Sequence, residues 1–273
     1  MYTEYWGLHQ HPFEERHAVD LYFPASSTQA ALLKLRYLID QRKGVAVIAG
    51  EHGLGKSLLA QVFEQEIPDV RMVSLLIPQL SPDEMLMYLA CQIGCQFEGT
   101  SNRVQVLRAL EDRLSATCNE THLVMHIDDA HLLEPAHLNS LRLLLGLNET
   151  GRADFSLILS GRTQLLGRLS HIEALDSRIA LKAALTPLRR EELLPYVRHR
   201  MQKSGGLESV FTDECLAPLW QHTHGIPRKI NQICDLALLV GFVDQLKAIG
   251  SLEIRAAVEE LSSAVQPMHR DAA

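Results

Sequence analysis

Cysteine is sparse and irregularly placed in this 273-residue chain. The five cysteines, Cys91, Cys95, Cys118, Cys215 and Cys234, are odd in number and contain no C-x-x-C pair, which excludes a disulfide framework and a structural zinc site. They read as reduced thiols, with Cys91 and Cys95, one helical turn apart, as buried free cysteines. Among the thirteen histidines, His122, His126, His131 and His137 straddle a strand and a loop without metal-ligand spacing, and read as ordinary strand and loop positions. No uncharged apolar run reaches the roughly eighteen residues of a membrane span. The opening Met1-Tyr2-Thr3-Glu4-Tyr5-Trp6 lacks the basic and apolar regions of a secretion signal. A soluble, cytoplasmic protein is expected, with any membrane association made through a partner. Positive charge is not in excess: 26 Lys and Arg against 33 Asp and Glu leave a formal charge of −7, which speaks against a generally basic nucleic-acid-binding surface. Repeats and low-complexity runs are missing too.

What is present is enough apolar sequence, 47%, to bury a large core in one α/β domain with a smaller second unit. Apolar runs suited to strands at 45–49, 71–77, 121–127, 154–160 and 179–184 alternate with amphipathic stretches, which predicts a five-stranded parallel sheet covered by helices on both faces. Helices are expected at 56–66, at 82–94 after Ser81-Pro82, at 102–116 after Ser101, at 135–148 and at 163–169. Beyond Pro187 the pattern is wholly helical, over 189–203, 213–222, 227–243 and 252–265, with Thr212 and Ser251 as N-caps and Gly205-Gly206 as a break. The expected division is a core with an N-terminal arm over 1–186, a helical unit over 187–266 and a disordered tail over 267–273.

The segment Gly50-Glu51-His52-Gly53-Leu54-Gly55-Lys56-Ser57 fits G-x-x-x-x-G-K-[ST], and it follows a β-branched strand and leads through Leu58 into a helix. Glycines at 50, 53 and 55 would allow positive φ and bring backbone N–H groups against phosphate oxygens at a helix N-terminus. Residues 50–58 are therefore the candidate nucleoside-triphosphate-binding loop, with Lys56 on the β- and γ-phosphates and the Ser57 hydroxyl on Mg²⁺. A second element agrees: the strand ending in Ile127 is followed by Asp128-Asp129, at the strand end where open parallel sheets bind ligands. Asp128 is the candidate partner of Ser57 on Mg²⁺, and Asp129 the candidate carboxylate that orients the attacking water.

With this loop and strand pair, a serine ending Leu157-Ile158-Leu159-Ser160, an arginine before the last strand at Arg178 and Gly225-Ile226-Pro227-Arg228 in the helical unit, the chain resembles an AAA+ ATPase. Tyr5-Trp6-Gly7-Leu8 with Pro12-Phe13, the stretch Leu157 to Leu169, Leu185-Thr186-Pro187-Leu188 with Glu191-Glu192, and segment 225–231 are similar to the general secretion pathway protein A and MSHA pilus ATPase branch. That branch is related to the TniB and TnsC transposition ATPases. The resemblance implies Ser160 as sensor 1, Arg178 as an arginine finger acting in trans with Arg168 as its rival, and Arg228 as sensor 2 on a lid hinged near Thr186-Pro187. It implies self-association into a hexamer-like ring or a filament, and protein partners in an envelope assembly machine. A DNA-bound transposition regulator is the alternative, for which Arg189-Arg190 and Arg198-His199-Arg200 speak unless they form a solvated helix face.

One departure matters: the family pattern has Asp-Glu where this chain has Asp128-Asp129, which retracts the base by ~1.5 Å and implies slow turnover, or nucleotide binding without hydrolysis. The family's membrane and cell-wall-binding parts are not in this sequence, so the ATPase module alone is expected. Leu8, Pro12 and Phe13 are either an apolar slot for the base or a packing arm. No residue selects adenine over guanine.

Overall fold

The computed structural model describes residues 1–14, 19–67, 70–97, 102–117 and 122–263. Thr121, Ser101, Cys118 and the tail 267–273, each given a part above, lie outside these. Contacts divide the chain into two compact units, Thr28–His52 with Lys56–Thr186, and Met1–Ser27 with Gly53–Gly55 and the chain from Pro187 onward.

The first unit is built on a parallel sheet of β1 (Val45–Ala49), β2 (Val70–Leu75), β3 (His122–Ile127), β4 (Phe155–Gly161) and β5 (Ile179–Ala184), in the order β2-β3-β4-β1-β5. The three inner strands are buried at every residue, because helices cover both faces and nothing selects for alternation. The edge strands β2 and β5 mix buried and exposed positions. Helices Lys56–Glu66, Pro82–Gln92, Arg103–Thr117, Pro135–Glu149 and Gln164–Ser170 connect the strands close to the expected bounds. Ser81 and Glu84 form a capping box, their side chains and N–H groups paired at 3.4 and 2.7 Å. His137 is a structural cap: its Nδ1 accepts from the Glu134 N–H at 3.2 Å, and Nε2 lies 2.7 Å from the Leu80 carbonyl. Cys91 is exposed and Cys95 only partly covered, which corrects the expectation that both are buried. The helix Ser26–Asp40 was not foreseen, although its buried Ala31, Leu32, Leu35 and Leu38 have helical spacing.

The second unit contains helices Arg190–Lys203, Leu216–Thr223, Pro227–Val243 and Ser251–Ser263. Gly205, at φ +90°, follows the first of them, as the glycine pair suggested. Thr212 precedes a 3-10 turn, Asp213–Cys215, and Ser251 is a helical residue; the end of that last helix is closed instead by Glu253, whose carboxylate accepts the Gly250 N–H at 2.7 Å. The N-terminal arm belongs to this unit and not, as expected, to the sheet. Trp6, Leu8 and Phe13 are buried with Val197, Phe211 and Leu238. Trp6 Nε1 donates to the Leu238 carbonyl at 3.0 Å, and Phe13 meets Phe211 edge to face at 5.6 Å. Leu8 and Phe13 are thus packing residues. Arg200 is buried with the arm, donating to the carbonyls of Pro12 at 2.6 Å and Glu14 at 3.4 Å, and Arg198 pairs with Asp213 at 2.7 Å. Within Arg198-His199-Arg200, Arg200 is therefore taken up by packing and Arg198 by an ion pair, so the three do not form one solvated basic face. Among the described residues no helix is long and apolar enough to cross a membrane.

Candidate functional site

β1 lies between β4 and β5, and its carboxyl end is held on both sides: the Gly50 N–H donates to Gly161 O at 3.0 Å and the Leu185 N–H to Ala49 O at 2.8 Å. The loop therefore leaves an inner strand at the carboxyl end of the sheet, where parallel sheets bind ligands. Gly53 and Gly55 have φ of +82° and +87°, the left-handed backbone that glycine alone adopts freely. Gly50 does not share this conformation, so only two of the three glycines serve the turn by positive φ. A Cβ on Gly53 would also lie 2.8 Å from Arg228 Cβ, and the Arg228 N–H donates to Gly53 O at 3.2 Å. Leu54, between the two glycines, is buried, and His52 and Glu51 are exposed. Glu51 accepts the Thr163 hydroxyl at 2.5 Å, a link from the loop to the segment after β4 that the sequence did not suggest.

Lys56 opens the helix after the loop, with Ser57 and Leu58 in its first turn. Its ammonium is buried and donates to the carbonyls of Gly50 at 2.9 Å and Glu51 at 3.1 Å, so it sits inside the curl of the loop. Burial lowers its pKa, and Asp128, Asp129 and Glu51 oppose that shift. The Ser57 hydroxyl donates to Asp128 Oδ2.

Asp128 follows β3, its N–H bonded to Leu75 O at 3.0 Å. Its Oδ1 accepts the Ser160 hydroxyl at 2.6 Å and the Asp129 N–H at 2.9 Å. Burial works to raise the Asp128 pKa, but the hydrogen bonds from Ser160 and Ser57, helped by His126 and the Asp129 N–H, outweigh it and hold the carboxyl below its ordinary range. Below Ser160, His126 Nε2 lies 2.9 Å from the serine oxygen and Nδ1 lies 3.4 Å from Ser74 Oγ. Burial lowers the His126 pKa, and the Asp128 charge partly opposes this. Sequence reasoning missed His126, although strand alternation puts it on the same face as Asp128.

Asp129 has φ +45° and ψ 35°, is exposed, and lies 3.6 Å from His131 Nδ1. Asp128 and Asp129 therefore diverge: one turns into the site's hydrogen-bond network, the other toward solvent.

Two hard oxygen donors, the Ser57 hydroxyl and an ionised Asp128 carboxylate, converge beside the Lys56 loop, a donor set that fits Mg²⁺ when phosphate oxygens and water supply the rest of an octahedron. Among the described residues no cluster of three or more His, Cys, Asp or Glu could hold a metal alone.

The remaining candidates lie apart. Arg168 donates to the carbonyls of His131 and Leu133 and ties down the turn after β3, which disfavours it as a finger. Arg178 stands before β5, at the opposite edge of the sheet from the loop, and donates to the Ala174 carbonyl and to Glu149 Oε2 at 2.8 Å. The strand between them spans about 17 Å, so Arg178 cannot serve the loop of its own chain. Arg228 is the second residue of the helix Pro227–Val243 in the helical unit.

Residues 39–169 match the AAA domain family. The chain is 28% identical over 266 residues to general secretion pathway protein A of Aeromonas hydrophila, covering 96% of this chain and 49% of that protein; it spans about half the length of that relative. In solved structures it is similar to Cdc6p of Pyrobaculum aerophilum, at TM-score 0.75 and 15% identity over 94% of this chain and 74% of that one. It is also similar to the ORC2 protein of Aeropyrum pernix in its ADPNP-ADP complexes, at TM-score 0.70 and 18% identity over 95% and 73%. These structural likenesses concern the fold, a P-loop AAA+ fold with a five-stranded parallel sheet and a helical C-terminal region. The family binds nucleotide, usually with Mg²⁺, and in general hydrolyses ATP.

Proposed function

We propose that this chain, whose residues 39–169 match the AAA domain family, binds ATP with Mg²⁺, hydrolyses it slowly, and self-associates so that nucleotide state assembles or remodels a partner complex of the secretion or pilus type. The observation that carries the nucleotide part is the joining of Ser57, Asp128 and Ser160 by hydrogen bonds next to the buried ammonium of Lys56. The partner class rests on the relationship to general secretion pathway protein A.

Backbone N–H groups of residues 50–58 cradle the phosphates, and Lys56 exchanges its bonds to Gly50 and Glu51 for phosphate oxygens. Ser57 and Asp128 would hold Mg²⁺, which when bound would neutralise charge on the phosphate oxygens. Asp129 orients the attacking water from an exposed position one methylene short of a glutamate. Arg178 exchanges Glu149 for the phosphates of a neighbouring copy, and Arg228, bonded to the loop at Gly53, couples nucleotide state to the helical unit.

Mixing two inactive variants tests this. Lys56→Ala subunits should fail to bind nucleotide yet present Arg178, while Arg178→Ala subunits should bind without turning over. Phosphate release regained on mixing, with ATP-dependent growth in light scattering, is the expected result. Arg178→Ala activity equal to wild type would sink the trans assignment, and turnover by Lys56→Ala would sink the site. ATP-dependent binding of a labelled duplex, weakening as salt rises, would move the partner from protein to DNA.

A further inference from the structure

The mechanism above makes no use of His126, yet the ring is almost fully buried and touches the site through one serine. A serine hydroxyl has a single proton to donate. Ser160 Oγ lies 2.6 Å from Asp128 Oδ1 and 2.9 Å from His126 Nε2. The carboxylate already accepts from the Ser57 hydroxyl and the Asp129 N–H, so the proton in the 2.6 Å contact is the serine's. Ser160 therefore faces His126 with a lone pair, and His126 carries its proton on Nε2 and accepts at Nδ1, where Ser74 Oγ stands at 3.4 Å. Hydrogen bonds run in one direction, from Ser74 on β2 through His126 on β3 and Ser160 on β4 to Asp128.

The same pair recurs four residues earlier on both strands: His122 Nε2 lies 2.9 Å from Ser156 Oγ, which donates to the Lys43 carbonyl at 2.7 Å. That rung ends on the backbone at the far edge of the sheet. The upper rung ends on the carboxylate that meets Ser57.

We propose that His126 and Ser160 are positioning residues: the His126 Nε2–H fixes the serine rotor, and Ser160 holds Asp128 turned toward Ser57 for the metal of a bound nucleotide. This rests on the nucleotide reading above. Ser160 is fully buried, and its proton points at Asp128, so it acts through the carboxylate and does not read the terminal phosphate directly as a sensor 1 residue would.

The test is polarisation of a fluorescent, slowly hydrolysed ATP analogue, titrated with Mg²⁺ from an EDTA-treated start. His126→Phe removes the donor and should raise the half-saturating Mg²⁺ by ~10–100-fold, the usual effect of losing a group that orients a metal ligand. Affinity in EDTA should not change. His126→Gln, with an N–H near the Nε2 position, should recover most of the loss, and His122→Phe should keep the wild-type requirement. If His126→Phe does not fold, Ser160→Ala carries the same expectation. A wild-type Mg²⁺ requirement in folded His126→Phe or Ser160→Ala, or an equal shift in His122→Phe, overturns the positioning role. Wild-type protein that binds no analogue at any Mg²⁺ level overturns the nucleotide reading instead.

Discussion

Replacing Asp129 by glutamate should make the protein faster. The side chain is 53% exposed and its carboxylate lies 3.6 Å from His131 Nδ1, so a longer chain has open space to extend into. One added methylene advances the carboxylate by ~1.5 Å, and since a misplacement of about 1 Å can cost ~100-fold in rate, the expected gain in kcat is roughly 10–100-fold. A tenfold gain corresponds to about 1.4 kcal/mol off the barrier. Against this stands the backbone: Asp129 sits at φ +45°, where a short side chain that bonds locally is tolerated better than glutamate. That penalty, at most ~1–2 kcal/mol, is present before and during the chemical step, so it lowers folding stability and leaves kcat alone. The assay is phosphate release at saturating ATP and Mg²⁺, with the unfolding midpoint and ATP affinity measured beside it. Unchanged or lower kcat in a folded variant that binds ATP normally would refute the idea that a short base limits turnover.

Two further outcomes concern stability. Gly225 has φ +76°, and a Cβ there would fall well inside contact distance of the Leu188 carbonyl, whose own N–H is bonded to Gly225 O at 2.8 Å. Gly225→Ala should therefore lose roughly 2–5 kcal/mol from left-handed strain plus overpacking, read by urea unfolding, and a loss below about 1 kcal/mol would contradict that close approach. Burial, and then the charge of Arg42, lowers the His122 pKa from 6.5 to about 4. Between those values the unfolded chain holds a proton that the folded one does not, so stability is complete above 6.5 and falls as pH drops toward 4. His122→Gln should weaken this dependence across that window, and an identical slope in the variant would exclude His122 as its source.

The strands and helices of the sheet unit were legible because their signals are local. β1 is an unbroken apolar run of valine, isoleucine and alanine, Pro135 marks a helix start, and Gly53, Gly55, Lys56 and Ser57 stand in one short segment whose geometry depends on neighbours in sequence. The same holds for Asp128, placed by the end of a strand. The helix Ser26–Asp40 was just as local and could have been read from its apolar spacing.

Other features depended on partners far away in the chain. Leu8 and Phe13 read equally well as a base slot or a packing arm until they were found buried with Phe211 and Leu238. Arg200 looked like part of a basic face until it was found bonded to Pro12, 188 residues away. His126 was one of several unremarkable histidines, and only the pairing of β3 with β4 set it against Ser160. By itself, then, the sequence determined the loop, the acidic strand end and the alternation of strands and helices, since backbone conformation and strand burial follow from short-range preference. Tertiary structure decided which polar groups share a proton, which cations are already paired and where the arm belongs, because hydrogen bonds and packing join residues that are adjacent only after folding.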